Sequence, residues 1–303
     1  MSPNPQHGTP SGDAFLAIQQ HSRKHRLDVQ EQMTLYSLEG LLARIATSPF
    51  REDFVLKGGV LLAAFSLRRP TKDIDLQATR LANDLDEVAE RFRVIAAIDV
   101  EDGLAFDPAS VAARTIRDGD DYNGVRVKLM GRLGRARLSI GVDVNFGDPI
   151  WPRPVEVTVP RLVDDGRGPV TMLGYPLPMV IAEKTVTVIQ RGTVNTRWRD
   201  FADLHTISRS RDIAAGELRA ALDVVAEYRG AVLRPLLPEL ASMPEIAQSR
   251  WAAWRRRQAH VASLPEDFAD VLGRVAAFVD PVLHEVWSAS AGWDAAATKW
   301  SQT

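Results

Sequence analysis

Residues 54–76, FVLKGGVLLAAFSLRRPTKDIDL, limit what this chain can fold into more than any other stretch. Phe54, Val55 and Leu56 form a short apolar run, the pattern of a buried strand, and lead into Lys57, Gly58 and Gly59. An apolar helix is predicted over 60–66, then a basic turn, then a second strand carrying Asp73 and Asp75. Residues two apart on a strand share a face, so the two carboxylates project together while Ile74 turns to the core. Carboxylates side by side repel unless a cation neutralises them. A divalent metal held by oxygen ligands answers that repulsion, and Mg²⁺ is the hard cation that suits it. Glycines let the backbone approach a ligand closely, and N–H groups that open a helix point at anions. The segment predicts a phosphate cradle facing a metal-binding pair of acids.

A length of 303 residues suffices for one large or two modest domains. The absence of cysteine excludes disulfides and thiolate metal sites and favours a reducing compartment. No uncharged apolar run reaches the ~18 residues of a membrane helix. The first residues lack the pattern of a signal peptide, so the expected location is cytoplasmic. A net charge of −2 makes no global case for nucleic acid and leaves any such surface to local patches. Six lysines stand against 31 arginines, and three of the six, Lys57, Lys72 and Lys184, fall within the segments of interest. In so arginine-rich a chain, that placement suggests a demand for compact point charges.

Along the rest of the chain, 1–12 reads as a disordered tail, and helices are predicted over 13–26, 33–47 and 85–98, the last capped by Asn83 and Asp84. From Leu104 the period changes to two. Segments 124–133 and 135–146 alternate around Gly134 and read as an antiparallel hairpin. On its second strand, Asp143 lies on the face opposite Ile140, Val142 and Val144, and the strand is expected beside Asp73. Asp143 is the candidate third carboxylate, with Asp148 and Glu156 as weaker competitors. Residues 147–172 are rich in Pro and Gly and read as connections around one strand at 155–159, so the domain change falls there. Beyond Pro178 the period is helical throughout. Glu183 and Lys184 interrupt an apolar helix at 179–190, and Asp200 and Asp203, three apart, share a face of the next helix. Further helices are expected over 216–228, 244–262 and 265–288. Trp251 and Trp254 beside arginines read as a buried aromatic stripe under a charged face, in preference to an RNA grip. A lone histidine is more often structural than a base, so His205 stays outside the site.

Gly58-Gly59, thirteen residues, then Asp73-Ile74-Asp75-Leu76 resembles the first motif of DNA polymerase β-like nucleotidyltransferases. The wording FVLKGG followed by RPTKDIDL is similar, more narrowly, to the AbiEii-type nucleotidyltransferase toxins of bacterial toxin–antitoxin systems, which include the mycobacterial MenT toxins. RWRDFADL at 197–204 resembles that family's Asp-x-x-Asp motif. The resemblance spans roughly residues 30–210.

The resemblance implies an α+β fold. A polymerase β-like nucleotidyltransferase domain, a mixed sheet flanked by helices, is expected over 13–172. A helical bundle over 173–303 would complete the nucleotide and acceptor cleft. The implied activity is transfer of a nucleoside monophosphate from an NTP to an acceptor hydroxyl, with pyrophosphate leaving. Mg²⁺, or Mn²⁺ in its place, would sit on Asp73, Asp75 and Asp143. Lys184 matches by context a family lysine that serves the phosphates, and Asp203 would orient it. Lys57, Gly58, Gly59, Arg69, Thr71 and Asp200 complete the implied nucleotide-binding set, with Arg68 of the same turn assisting. The resemblance further implies an RNA acceptor (the tRNA 3′ end in the MenT toxins) and a cognate antitoxin protein; from the apolar runs, no membrane partner is expected. Two other readings stay open: an enzyme acting on a small-molecule hydroxyl, and a non-catalytic relative that binds a partner.

Overall fold

Apolar residues at helical spacing build the first two helices, α1 (Pro10–His25) and α2 (Val29–Thr47), of the computed structural model, which describes residues 7–118, 121–258, 264–284 and 288–301. Helix α1 begins inside the segment expected to be a disordered tail. Pro10 sits at its first position, where a missing N–H costs nothing, and the Thr9 hydroxyl accepts from Gly12 N at 3.1 Å. Residues 1–6 lie outside the described residues. Leu38, Leu41, Leu42 and Ile45 of α2 are fully buried.

The chain divides into two units, Met1–Asp148 with Pro154–Tyr175, and Pro149–Arg153 with Pro176–Thr303. The first is a seven-stranded mixed sheet flanked by helices. Its strands are β1 (Phe54–Lys57), β2 (Asp73–Ala78), β3 (Leu104–Asp118), β4 (Asp121–Leu133), β5 (Ala136–Asn145), β6 (Val155–Val159) and β7 (Val170–Gly174). They lie in the order β3-β4-β5-β2-β1-β7-β6. Strand β2 is central, antiparallel to β1 and parallel to β5. Between β1 and β2 the chain forms α3 (Gly58–Leu61), continued by a 3₁₀ turn, and α4 (Leu85–Ala97) follows β2. Asp84 caps α4 through Glu87 N at 2.8 Å, and its Val88, Phe92 and Ile95 are fully buried.

The predicted hairpin is present. Leu133 pairs with Ala136, and Gly134, at φ 58, fills the left-handed first position of the two-residue loop. One strand and one helix expectation need correction. The Pro- and Gly-rich connection holds a second strand, β7, antiparallel to β6 and parallel to β1. The apolar helix after Gly59 is shorter than expected, one α turn that tightens into 3₁₀ and ends at Ser66 with φ 61.

The second unit is mainly helical: α5 (Leu177–Arg191), α6 (Trp198–Ser208), α7 (Ala215–Tyr228), α8 (Leu236–Glu239), α9 (Met243–Arg256) and α10 (Phe268–Leu283). It is not helical throughout. A small sheet joins β8 (Ile213–Ala214), β9 (Gly292–Asp294) and β10 (Lys299–Ser301). Helix α10 is shorter than its expected span, and the expected end of the preceding helix at 262 lies outside the described residues. Trp251 is fully buried against Trp198 and Phe268, and Trp254, half-buried, stacks on it, so the core takes one tryptophan of the stripe. His205 is buried, and burial first, then Arg209 and Arg274, lowers its pKa to about 4, leaving a neutral ring at neutral pH. Among the described residues no helix is long and apolar enough to cross a membrane.

Within the first unit one buried ion pair ties α2 to the loop before β3. Arg44 donates to Asp102 Oδ2 at 2.7 Å and Oδ1 at 3.0 Å, and to the carbonyls of Gly40, Ile98 and Leu104. Each partner satisfies the other in a dry environment, so losing one leaves a charge uncompensated. Arg44→Ala should lower the unfolding free energy by about 3–5 kcal/mol. Denaturant unfolding checks this, and a loss below ~1 kcal/mol would contradict it.

Candidate active site

In-register pairing sets charged residues in rows across the first unit's sheet. Lys57 stands opposite Asp75, Asp75 opposite Asp143, Asp143 opposite Arg126, and Arg126 opposite Arg114. In the adjacent row Asp73 stands opposite Gly141, and Gly141 opposite Lys128. Directly paired residues share a face. Asp73 and Asp75 are half-buried on that face, while Ile74 and Leu76 are fully buried on the other. Asp143 alternates in the same way with Val142 and Val144.

The glycines make room for the acids. A Cβ on Gly58 would lie 1.9 Å from Asp75 Oδ2, and the backbone there has φ 68. No other residue type supplies both the conformation and the space. A Cβ on Gly141 would lie 2.2 Å from Asp73 Oδ1, and one on Gly59 would meet Thr71 Oγ1 at 2.8 Å and Arg69 Nη1 at 2.9 Å. Asp75 therefore packs on Gly58, Asp73 on Gly141, and Thr71 with Arg69 on Gly59. Lys57 precedes α3 and gives it no side-chain cap, which leaves the amides of the first turn to other acceptors. Helix α3 has only four residues, so little dipole accumulates there, and the backbone N–H groups themselves are what the turn offers.

Each cation has its own place. The Lys57 ammonium lies 3.2 Å from Asp148 Oδ2 and 5.0 Å from the centre of the Tyr175 ring. Asp148, weighed against Asp143 from the sequence, thus lies in ion-pair contact with Lys57. Glu156 is exposed on β6. Arg69 Nη1 donates to Pro70 O at 3.1 Å, and Thr71 Oγ1 to Asp73 O at 3.4 Å. Arg68 turns elsewhere, to the buried Glu39 of α2 and to Pro160 O, so its role is to anchor the turn. Burial raises the Glu39 pKa while Arg68 opposes that shift.

Arg126 is the residue that reading the sequence missed. Its Nε donates to Asp143 Oδ1 at 2.5 Å and its Nη2 to Oδ2. The hydrogen bond to Asp143 raises its pKa most, burial opposes, and the charges of Asp143, Asp73 and Asp75 raise it further. Counting back equally along both strands from Gly134 and Arg135 brings 126 opposite 143, so the signal was present in the hairpin register. Among the described residues no three His, Cys, Asp or Glu side chains form a group that could hold a metal ion as arranged here. A guanidinium grips the third of the expected acids. The donors still fit a divalent cation in chemistry: hard carboxylate oxygens, two on one strand face and a third opposite them.

The second unit carries the other predicted residues as one network. Lys184 of α5, 11% exposed, places its ammonium 3.1 Å from Asp200 Oδ1 and 2.7 Å from Asp203 Oδ2, both on α6. Those acids are 5% and 4% exposed, and Arg197 Nε lies 2.8 Å from Asp200 Oδ2. The three-residue spacing points both carboxylates at one lysine. Thr187 donates to Glu183 O and accepts from Arg229 Nη1 at 2.9 Å, while Thr185 is fully buried and its hydroxyl has no hydrogen-bond partner among the described residues.

A mixed sheet flanked by helices, with paired strand acids packed on a glycine turn, has the architecture of a nucleotidyltransferase. The family model of the nucleotidyltransferase AbiEii toxins, from type IV toxin–antitoxin systems, matches residues 40–274. The chain belongs to this family of nucleotidyltransferases, whose systems pair a toxin with an antitoxin. No curated protein matches it. Among solved structures it is similar to a "putative nucleotidyltransferase from H. pylori" at 17% identity and a TM-score of 0.52, covering 86% of this chain and 100% of that one. It also matches JHP933 from Helicobacter pylori at 15% identity and a TM-score of 0.48, covering 85% and 94%.

Gly58→Ala should lower the unfolding free energy by more than Gly166→Ala. Both positions have positive φ, but a Cβ on Gly166 meets nothing within 4 Å. Each carries about 1–2 kcal/mol of left-handed backbone cost, and only Gly58→Ala adds the collision with Asp75. Equal losses in denaturant unfolding would contradict the close packing.

Proposed function

We propose that the chain is a divalent-metal-dependent toxin that transfers a nucleoside monophosphate from an NTP to an RNA hydroxyl in the cytoplasm. The observation that carries this reading is the packing of Asp75 on Gly58 with Asp73 beside it on one strand face. The acceptor oxygen forms a bond to the α-phosphorus, the bond to the β-phosphate oxygen breaks, pyrophosphate leaves, and the acceptor proton passes to solvent. A divalent cation, Mg²⁺ or Mn²⁺, held by Asp73, Asp75 and Asp143 would activate the hydroxyl and neutralise triphosphate charge.

The protein's own groups do the positioning. The N–H groups of Gly58 and Gly59 donate to the phosphate oxygens, with Lys57, Arg69 and Thr71 lining that turn. In the second unit, Lys184 is fixed between Asp203 and Asp200. Lys184→Ala would remove the ammonium that two buried aspartates share, so its loss of activity counts only alongside an unchanged melting temperature.

The charge of the sheet supports RNA as acceptor. On the face that carries the acids, Arg114, Lys128, Arg132 and Arg137 are exposed, and none is ion-paired with a described carboxylate. Asp107 is the opposing charge there, across from Met130. Arg132 and Arg137 stand directly opposite each other, an arrangement that costs stability unless an anion joins them. A phosphodiester backbone supplies that anion at repeated intervals.

With each α-labelled NTP, total RNA and Mg²⁺, label should move to RNA, and Asp75→Asn should reduce transfer by ~10²-fold or more with the fold intact. Undiminished transfer by Asp75→Asn overturns the site, and label on no RNA species overturns the acceptor. Charge reversal of Lys128, Arg132 and Arg137 together should weaken RNA binding and make its salt dependence shallower by roughly two to three in log–log slope. An unchanged slope rejects this face as the RNA surface.

A further inference from the structure

The acid cluster already has a cation. At one end of the charged row Lys57 lies opposite Asp75 and 3.2 Å from Asp148, and next to Asp143 Arg126 spans both of that residue's oxygens. Arg126 also lies in the field of Asp73 and Asp75. We propose that Arg126 is the resident counter-ion of this cluster, holding Asp143 while no divalent ion is bound and releasing it when one is. This rests on the reading of Asp73 and Asp75 as a metal–nucleotide site and adds a positioning residue to it.

Three carboxylates sharing a face repel one another, and a guanidinium bridging the third lowers that cost. The same guanidinium opposes a second cation in two ways. It occupies two of the roughly four lone-pair positions of Asp143, and it places a like charge beside the incoming ion. Arg126 is not locked in place: its side chain is 32% exposed, against 1% for Arg44 in its buried pair with Asp102. It can swing towards solvent without leaving a charge stranded in the core. Asp143 therefore has two alternative partners, and loading the site exchanges one for the other. A fixed scaffolding role, in which Arg126 aims Asp143 at the ion, has the opposite consequence: removing the arginine then weakens the metal.

The test is Mn²⁺ binding to the full chain without nucleotide, followed by electron paramagnetic resonance of the free ion, with melting temperature alongside. Arg126→Gln should bind Mn²⁺ roughly fivefold or more tightly than the wild type. It should melt lower without the ion and regain the difference in saturating Mn²⁺. Arg126→Lys, whose ammonium cannot bridge two oxygens in parallel, should fall between and serves if the Gln variant does not fold. Affinity equal to or weaker than wild type in a folded Arg126 variant overturns the inference while the site reading stands. Asp75→Asn should lose Mn²⁺ binding; wild-type affinity in that variant overturns the site reading and the inference with it.

Discussion

Strand β2 lies between β1 and β5 in a register that puts Lys57, Asp75 and Asp143 in one row, and everything chemical in the first unit depends on that register. A slip of one residue would turn Asp73 and Asp75 into the core and bring Ile74 and Leu76 out. The slip is resisted from both sides of the sheet. Ile74, Leu76, Val142 and Val144 are fully buried on one face. On the other, Gly58 and Gly141 are the places where the two carboxylates fit. Apolar packing therefore fixes the positions of the charges, at a cost in repulsion that the nearby cations offset.

Those cations sort into distinct roles. Arg44 and Lys184 satisfy buried acids within their own units, while Arg68 anchors the turn before β2 through Glu39. Arg126 belongs to the acid row itself, and Arg114, Lys128, Arg132 and Arg137 line the exposed remainder of that sheet face. A near-neutral chain thereby carries a locally basic stretch beside its acid row, which its net charge of −2 conceals.

What was legible in the sequence is what local pattern determines. Alternation around Asp73 and Asp75, the Gly134 loop and the three-residue spacing of Asp200 and Asp203 each gave the structure that is found. The family, too, was readable from the glycine pair and the Asp-x-Asp strand. What escaped depends on partners remote in the chain. Strand β7 is five residues in a Pro- and Gly-rich segment and exists through pairing with β6 and β1. Strands β9 and β10 are three residues each, too short to show a period, and are held by Trp293 and Trp300 packing around Phe278. Arg126 was one of 31 arginines until the hairpin register put it opposite Asp143.

The central claim is that Asp73 and Asp75 hold a divalent ion beside the Gly58 turn. A crystal grown with Mn²⁺ and a non-hydrolysable NTP analogue, measured at the manganese edge, tests it directly. An anomalous peak within coordination distance of the Asp73 and Asp75 carboxylates, with phosphate oxygens on the Gly58 and Gly59 amides, is the expected result. A nucleotide bound with its metal at any other set of carboxylates would contradict the account.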